Sequence, residues 1–176
     1  MKLHLGSGSK HLSGYENIDI RYLPGVDRVD NVKFLRSFQE NTIDEIYACH
    51  VLEHFTRWDY LNVISRWYRL LVKGGTLKIA VPDFEQIVTR YNKTKNLKEL
   101  IGFLYGGQDY NENFHHIIWD FNSLKQDLES IGFVGIKRYD WRDTIHSNVD
   151  DYSQSYLPHL DKTNGILMSL NIIALK

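Results

Sequence analysis

The chain is short of several things, and each shortage closes off a class of protein. It has one cysteine, Cys49, so no internal disulfide can staple it, and a reducing compartment suits it. It has no excess of either charge. Its 21 basic residues face 22 acidic ones, the formal net charge is −1, and no run of Lys and Arg stands out. A nucleic-acid partner therefore has no electrostatic support. No apolar run approaches the roughly 18 residues of a membrane span. The first residues lack a charged start leading into an apolar signal core. The expectation is a cytoplasmic protein with no membrane insertion. Repeats, low-complexity stretches and linkers are also missing, and 176 residues favour one domain. What the chain does have is aromatic residues, 13% of the total, many of them in its second half, where they offer a stacking surface.

The periodicity predicts strands alternating with helices. Strands are expected at Lys2–Leu5, Asn17–Ile20, Val26–Val32 and Ile43–Cys49. A helix follows in TRWDYLNVISRWYRLLVKGG, with Thr56 and Asp59 as a capping box, Leu61, Ile64, Tyr68 and Leu71 on one face, and Gly74-Gly75 as its stop. TLKIAVP reads as a strand buried on both faces of a parallel sheet. A second helix from about Asp83 carries Phe84, Ile87, Val88 and Tyr91 on one face, and a third, NSLKQDLESIG, ends at Gly132. Strands are expected again at Phe133–Tyr139 and Ser169–Leu175, with an irregular polar loop over residues 140–168 between them. The fold class is α/β, a Rossmann-like, mostly parallel sheet with helices on both faces and an antiparallel edge strand.

Two motifs carry chemistry. In LHLGSG an apolar strand runs into Gly6-Ser7-Gly8, and the next strand ends on Asp19. A glycine turn after strand one lets a ligand approach the backbone, and an acid at the end of strand two can accept hydrogen bonds from both hydroxyls of a ribose. A lone Gly-x-Gly is equally an ordinary tight turn. The spacing argues against a dinucleotide, which wants a third glycine opening a full helix; between Gly8 and Ile18 that helix has no room. A ligand without pyrophosphate needs no helix dipole. The second motif, HVLEH at residues 50–54, matches the H-x-x-E-H string of inverted zinc proteases. It follows a strand directly, so its two His need not share a helical face. A zinc site also needs a third ligand, and no second helix offers one.

Three stretches, LHLGSGSKHLSGYENIDI, DEIYACHVLEHF and LLVKGGTLKIAVPD, together resemble the class I S-adenosylmethionine-dependent methyltransferases, in particular a short type-11-like branch with a reduced first helix. The resemblance runs to the end of the last strand. It implies that Gly6, Ser7 and Gly8 line the methionine end of S-adenosylmethionine, that Asp19 binds the ribose, and that Ile20 touches the adenine. Where the family usually has an Asp after strand three this chain has Asn31, followed by Val32; an amide oxygen can still accept the adenine amino group. His50 falls near the sulfonium. Residues 1–94 become a cofactor-binding half and residues 95–176 an acceptor-binding half of a single domain.

For the proton acceptor the candidates are His115, which matches a His of the related branch, and Asp83, at the carboxyl edge of the sheet. Asp83 serves equally well as a helix cap. Members of the branch often accompany cell-surface polysaccharide genes, which suggests O-methylation of a sugar or glycan hydroxyl; Trp141, Tyr152 and Tyr156 are either a stacking surface for the sugar or core and lid packing. An acceptor nitrogen or a small-molecule acceptor is the other option. No metal ligand set is assigned, although Asp83, Asp109 and Asp120 could contribute to one. The competing readings are a zinc-dependent hydrolase built on HVLEH and a non-catalytic domain that keeps the fold.

Overall fold

The computed structural model describes residues 1–176. Its strands are β1 (Lys2–Leu5), β2 (Glu16–Asp19), β3 (Arg28–Val29), β4 (Ile43–Cys49), β5 (Leu71–Pro82), β6 (Val134–Arg138), β7 (Tyr156–Leu157), β8 (Ile166–Leu167) and β9 (Ser169–Leu175). Its α-helices are α1 (Tyr60–Leu70), α2 (Phe84–Thr94), α3 (Ile101–Tyr105) and α4 (Phe121–Ile131). Seven strands form one sheet in the order β3-β2-β1-β4-β5-β9-β6, and β7 and β8 form a separate hairpin within the stretch expected to be irregular.

The sheet is parallel except for β9, which runs antiparallel to both β5 and β6. The antiparallel strand is therefore one place in from the edge, and β6 is the edge, a correction to the expected order. The burial explains it. β9 is paired on both sides and its Leu170, Ile172 and Ala174 are buried, whereas β6 is paired on one side and four of its five residues are exposed.

One face of the sheet is apolar. Leu3, Leu5, Ile46, Ala48, Leu77, Ile79 and Val81 pack there against Val63, Ile64 and Trp67 of α1 and Leu124 and Leu128 of α4. Burial of this area is the main stabilising term of the fold. The opposite face is more polar. Tyr47, Cys49 and Ala80 lie there beneath Leu12 and Tyr15. Residues 146–154 complete the cover, with Tyr47 donating to Asp151 at 2.6 Å and Asn171 to the Ser153 carbonyl at 2.9 Å. The only helical turn in that cover is the 3-10 turn Tyr152–Gln154. α2 and α3 share a third, smaller core with Met168 and the β7–β8 hairpin.

Several local expectations shift. α1 starts at Tyr60, and Thr56 bonds the Asp59 side chain at 3.2 Å instead of closing a capping box. Its buried stripe is Tyr60, Val63, Ile64, Trp67 and Leu70, while Leu61 is exposed. Trp67 sets that rotation, because it is fully buried and its indole N–H needs the Val32 carbonyl, 2.9 Å away. The chain leaves α1 straight into β5, so Gly74-Gly75 lies inside a strand and not at the helix end. On α2 only Ile87 is buried; Phe84, Val88 and Tyr91 are exposed.

Candidate functional site

The carboxyl ends of β1, β2 and β4 meet at one edge of the sheet. β1 ends at Leu5, and Gly6 turns the chain with φ of 64°. A Cβ on Gly6 would lie 2.4 Å from a methyl of buried Val51, so both the backbone angle and the space demand glycine. Ser7 is buried and its hydroxyl has no partner. The Gly8 N–H donates to Asp19 Oδ2 at 2.8 Å. Gly6, Ser7, Gly8 and Asp19 are thus brought together by the parallel pairing of β1 with β2. No helix separates these strands. Residues 9–15 turn instead, and Leu12 and Tyr15 enter the polar face's core.

Asp19 is 4% exposed and lies under Arg21, a residue for which the sequence offered no role. Its Oδ1 accepts from the Arg21 backbone N–H at 2.9 Å and from the Arg21 side chain at 3.2 Å. The Arg21 guanidinium in turn stacks on Tyr110, 4.3 Å from the ring centre. Ile20 lies just outside β2 and is 41% exposed, free to meet a planar ligand. Asn31 is less free than expected, since its amide oxygen closes its own turn by accepting from the Lys33 N–H at 2.9 Å. Val32 has its side chain in the apolar core and its carbonyl on Trp67. What Val32 can offer a ligand is its backbone N–H, not a side-chain contact.

Beyond β4, His50 takes φ of 53°, a left-handed conformation rare outside glycine and a mark of functional turns. HVLEH then continues as a short 3-10 turn, Leu52–His54, so its two His do not share an α-helical face. Glu53 is completely buried. His50 Nδ1 lies 3.0 Å from Glu53 Oε1, its Nε2 lies 3.2 Å from the Ser169 hydroxyl, and Tyr152 sits against its ring at 5.4 Å.

His115 reaches the same place from far along the chain. The segment that carries it is bonded to α3 through the His115 N–H and the Tyr105 carbonyl, 3.1 Å. It is bonded to the turn through the His116 N–H and the Glu53 carbonyl, 2.8 Å. His115 Nδ1 meets the Phe103 carbonyl at 2.9 Å, leaving Nε2 3.9 Å from Glu53 Oε1. The His54 ring lies 5.0 Å from that of His115. Burial holds His115 below its usual pKa, against the opposing pull of Glu53, so the imidazole is neutral at pH 7. Burial would raise the Glu53 pKa, but His50, through its charge and its hydrogen bond, outweighs it and holds the carboxyl below its ordinary value.

Asp83 is spent elsewhere. One carboxylate oxygen caps α2 by accepting from the Glu85 and Gln86 N–H groups at 3.0 and 3.4 Å, and the other accepts from Arg138 at 2.8 Å. Both oxygens of Asp83 are thus engaged, in the cap role that the sequence also allowed it. Asp120 likewise caps α4, and Asp109 bonds Asn113. The three acids do not gather into a ligand set. Of the expected stacking aromatics only Tyr152 is exposed beside the site; Trp141 and Tyr156 are joined by a 3.3 Å hydrogen bond, and Tyr156 is buried.

No family model matches the chain, and no curated protein matches it. Solved structures do. A possible histamine N-methyltransferase from Thermotoga maritima, described as S-adenosylmethionine-dependent, superposes with a TM-score of 0.63 at 14% identity over 99% of this chain and 81% of its own. A methyltransferase of the same description from Methanosarcina mazei gives 0.61 at 19% identity over 99% and 91%. The 1,6-didemethyltoxoflavin-N1-methyltransferase of Burkholderia thailandensis, crystallised with S-adenosylhomocysteine, gives 0.58 at 15% over 99% and 70%. Sheet order, the inserted antiparallel strand and these superpositions agree: the chain has the fold of the class I S-adenosylmethionine-dependent methyltransferases.

Proposed function

We propose that the protein is an S-adenosylmethionine-dependent methyltransferase and that its acceptor is a sugar or glycan hydroxyl. One observation carries the first part. A glycine turn that admits no side chain and a buried acid hydrogen-bonded to it lie at the carboxyl ends of adjacent parallel strands. Ligands of open α/β sheets bind at that edge. The residues suit the cofactor: Ser7 has an unpaired buried hydroxyl, Asp19 is a carboxylate, and exposed Ile20 offers an apolar surface. In this reading Gly6, Ser7 and Gly8 line the amino-acid end, Asp19 takes the ribose hydroxyls, and Ile20, Asn31 and the Val32 N–H meet the adenine. Arg21 swings off Asp19 to admit the ribose.

The cofactor supplies an electrophilic methyl on a sulfonium. The protein then needs to hold the acceptor in line and accept one proton. His50, in its constrained turn, borders the methyl, and His115 Nε2 accepts the proton of the acceptor hydroxyl as its oxygen takes the methyl. A neutral imidazole at pH 7 suits that duty. Exposed Tyr152 supplies a face for a sugar ring beside His50. Residues 1–94 thus hold the cofactor, and residues 95–176 supply most of the acceptor side.

The test is transfer of labelled methyl from S-adenosylmethionine to a panel of sugars, glycans, amines and small phenols. Label on a sugar hydroxyl supports the whole reading. Label only on amines or phenols keeps the methyltransferase and overturns the sugar acceptor.

A further inference from the structure

Glu53 poses a problem that methyl transfer does not answer. It is fully buried, and it has few groups to answer its charge. His50 Nδ1, 3.0 Å from Oε1, is its nearest partner, and Oε2 has none. A buried carboxylate with a single imidazole beside it is still costly, so such a group normally has a cation to answer it.

Two imidazoles face the same space with their proton positions already decided. His54 Nδ1 meets the Phe114 carbonyl at 3.2 Å, and His115 Nδ1 meets the Phe103 carbonyl at 2.9 Å. A carbonyl only accepts, so each Nδ1 carries the hydrogen and each Nε2 keeps a free lone pair. Backbone carbonyls behind the ring are the usual outer support of metal-ligating His. One ligand atom each from Glu53, His54 and His115 lies within 4.8 Å of the other two. Tetrahedral bonds of about 2.1 Å separate ligands by about 3.4 Å. The 3.9 Å between His115 Nε2 and Glu53 Oε1 needs only a small contraction to reach that.

We propose that Glu53, His54 and His115 bind one divalent transition-metal ion of the zinc type. Two imidazoles and one carboxylate favour such ions over magnesium or calcium, which take oxygen ligands. The arrangement differs from H-x-x-E-H chemistry. Glu53 is a ligand and not a base, and His50 steadies the carboxylate instead of binding metal. Three protein ligands leave a coordination position for water or an acceptor oxygen. The inference does not rest on the methyltransferase reading. It does bear on it, because with an ion bound the His115 lone pair is a ligand and no longer a base.

The test is a titration of chelator-treated protein with cobalt(II), read by visible absorption and by the melting temperature, without cofactor. The expected result is saturation at one equivalent per chain, displacement by zinc, and a higher melting temperature. Glu53→Gln, His54→Ala and His115→Ala should each weaken binding by at least the roughly 10–100-fold seen on losing an outer-shell partner. His116→Ala, an exposed neighbour, should bind like the wild type. No saturable binding by the wild-type chain overturns the proposal without recourse to variants. So does binding that survives His54→Ala and His115→Ala or is lost in His116→Ala.

Discussion

Two regions build the candidate site by different means. The ends of β1, β2 and β4 place Gly6, Asp19 and His50 by local rules: a strand stops, a turn follows, and the parallel pairing aligns the ends. The segment from Tyr105 to His116 has no strand to align it. Hydrogen bonds hold it to α3 and to the Glu53 carbonyl, and the stacking of Tyr110 on the Arg21 guanidinium holds it to the lip over Asp19. Rigid strand ends suit a cofactor of constant shape. A tethered crossing suits an acceptor that must enter and leave. The difference predicts that damage to the two regions is separable.

Replacing His115 should have the largest effect. In the ion-free chain, His115→Ala should slow methyl transfer by about a hundred- to ten-thousand-fold, the usual contribution of a positioned proton acceptor. Cofactor affinity, read by calorimetry, should be unchanged. A parallel loss of affinity would mean that the crossing belongs to the cofactor site and that the two regions are one.

His4, on β1, is buried in the strand-end region, and its consequence differs from that of His115. Burial, opposed by its hydrogen bond to Asn17, pushes its pKa down from 6.5 to about 4. The folded chain therefore holds a neutral imidazole where the unfolded chain takes up a proton. The stabilisation is complete above pH 6.5 and is lost as pH falls toward 4. About 3 kcal/mol of stability should disappear across that window. Urea unfolding at several pH values checks it, and His4→Gln should flatten the dependence.

Gly6→Ala should cost about 1–2 kcal/mol for the left-handed backbone alone, with the crowding against Val51 added to it. It should weaken cofactor binding and lower the unfolding midpoint together. The smallest effect is expected at Arg21. Arg21→Ala removes a half-exposed partner from Asp19 and should tighten cofactor binding less than ten-fold, about 1 kcal/mol, in calorimetric titration. Weaker binding would make Arg21 a cofactor contact and not a cover.

These two regions were unequally legible. β1, β4 and β9 were readable to the residue: KLHL alternates and stops at a glycine, IYAC is apolar behind Asp44 and Glu45, and IIAL ends the last strand. The glycine turn and Asp19 were readable from spacing. The rotation of α1 was not, since it hangs on where the Trp67 indole finds a carbonyl. The place of β9 depends on how the chain returns after β6, which no local pattern records. The cap role of Asp83 was legible from its place before α2, but its pairing with Arg138, distant in sequence, was not. His115 was assigned by resemblance, but its meeting with Glu53 and His54 depends on the crossing segment. One signal was available: an acid inside the apolar string Val51-Leu52-Glu53-His54-Phe55 is a buried carboxylate in search of a partner.

The central claim is that the strand ends bind S-adenosylmethionine through Asp19. Calorimetric titration of the wild type and of Asp19→Ala, with S-adenosylmethionine and with S-adenosylhomocysteine, tests it directly. The account predicts one site per chain in the wild type, binding that chelator leaves intact, and no measurable binding in Asp19→Ala. A wild-type chain that binds neither compound, or an Asp19→Ala chain that binds both as well as the wild type, would contradict it.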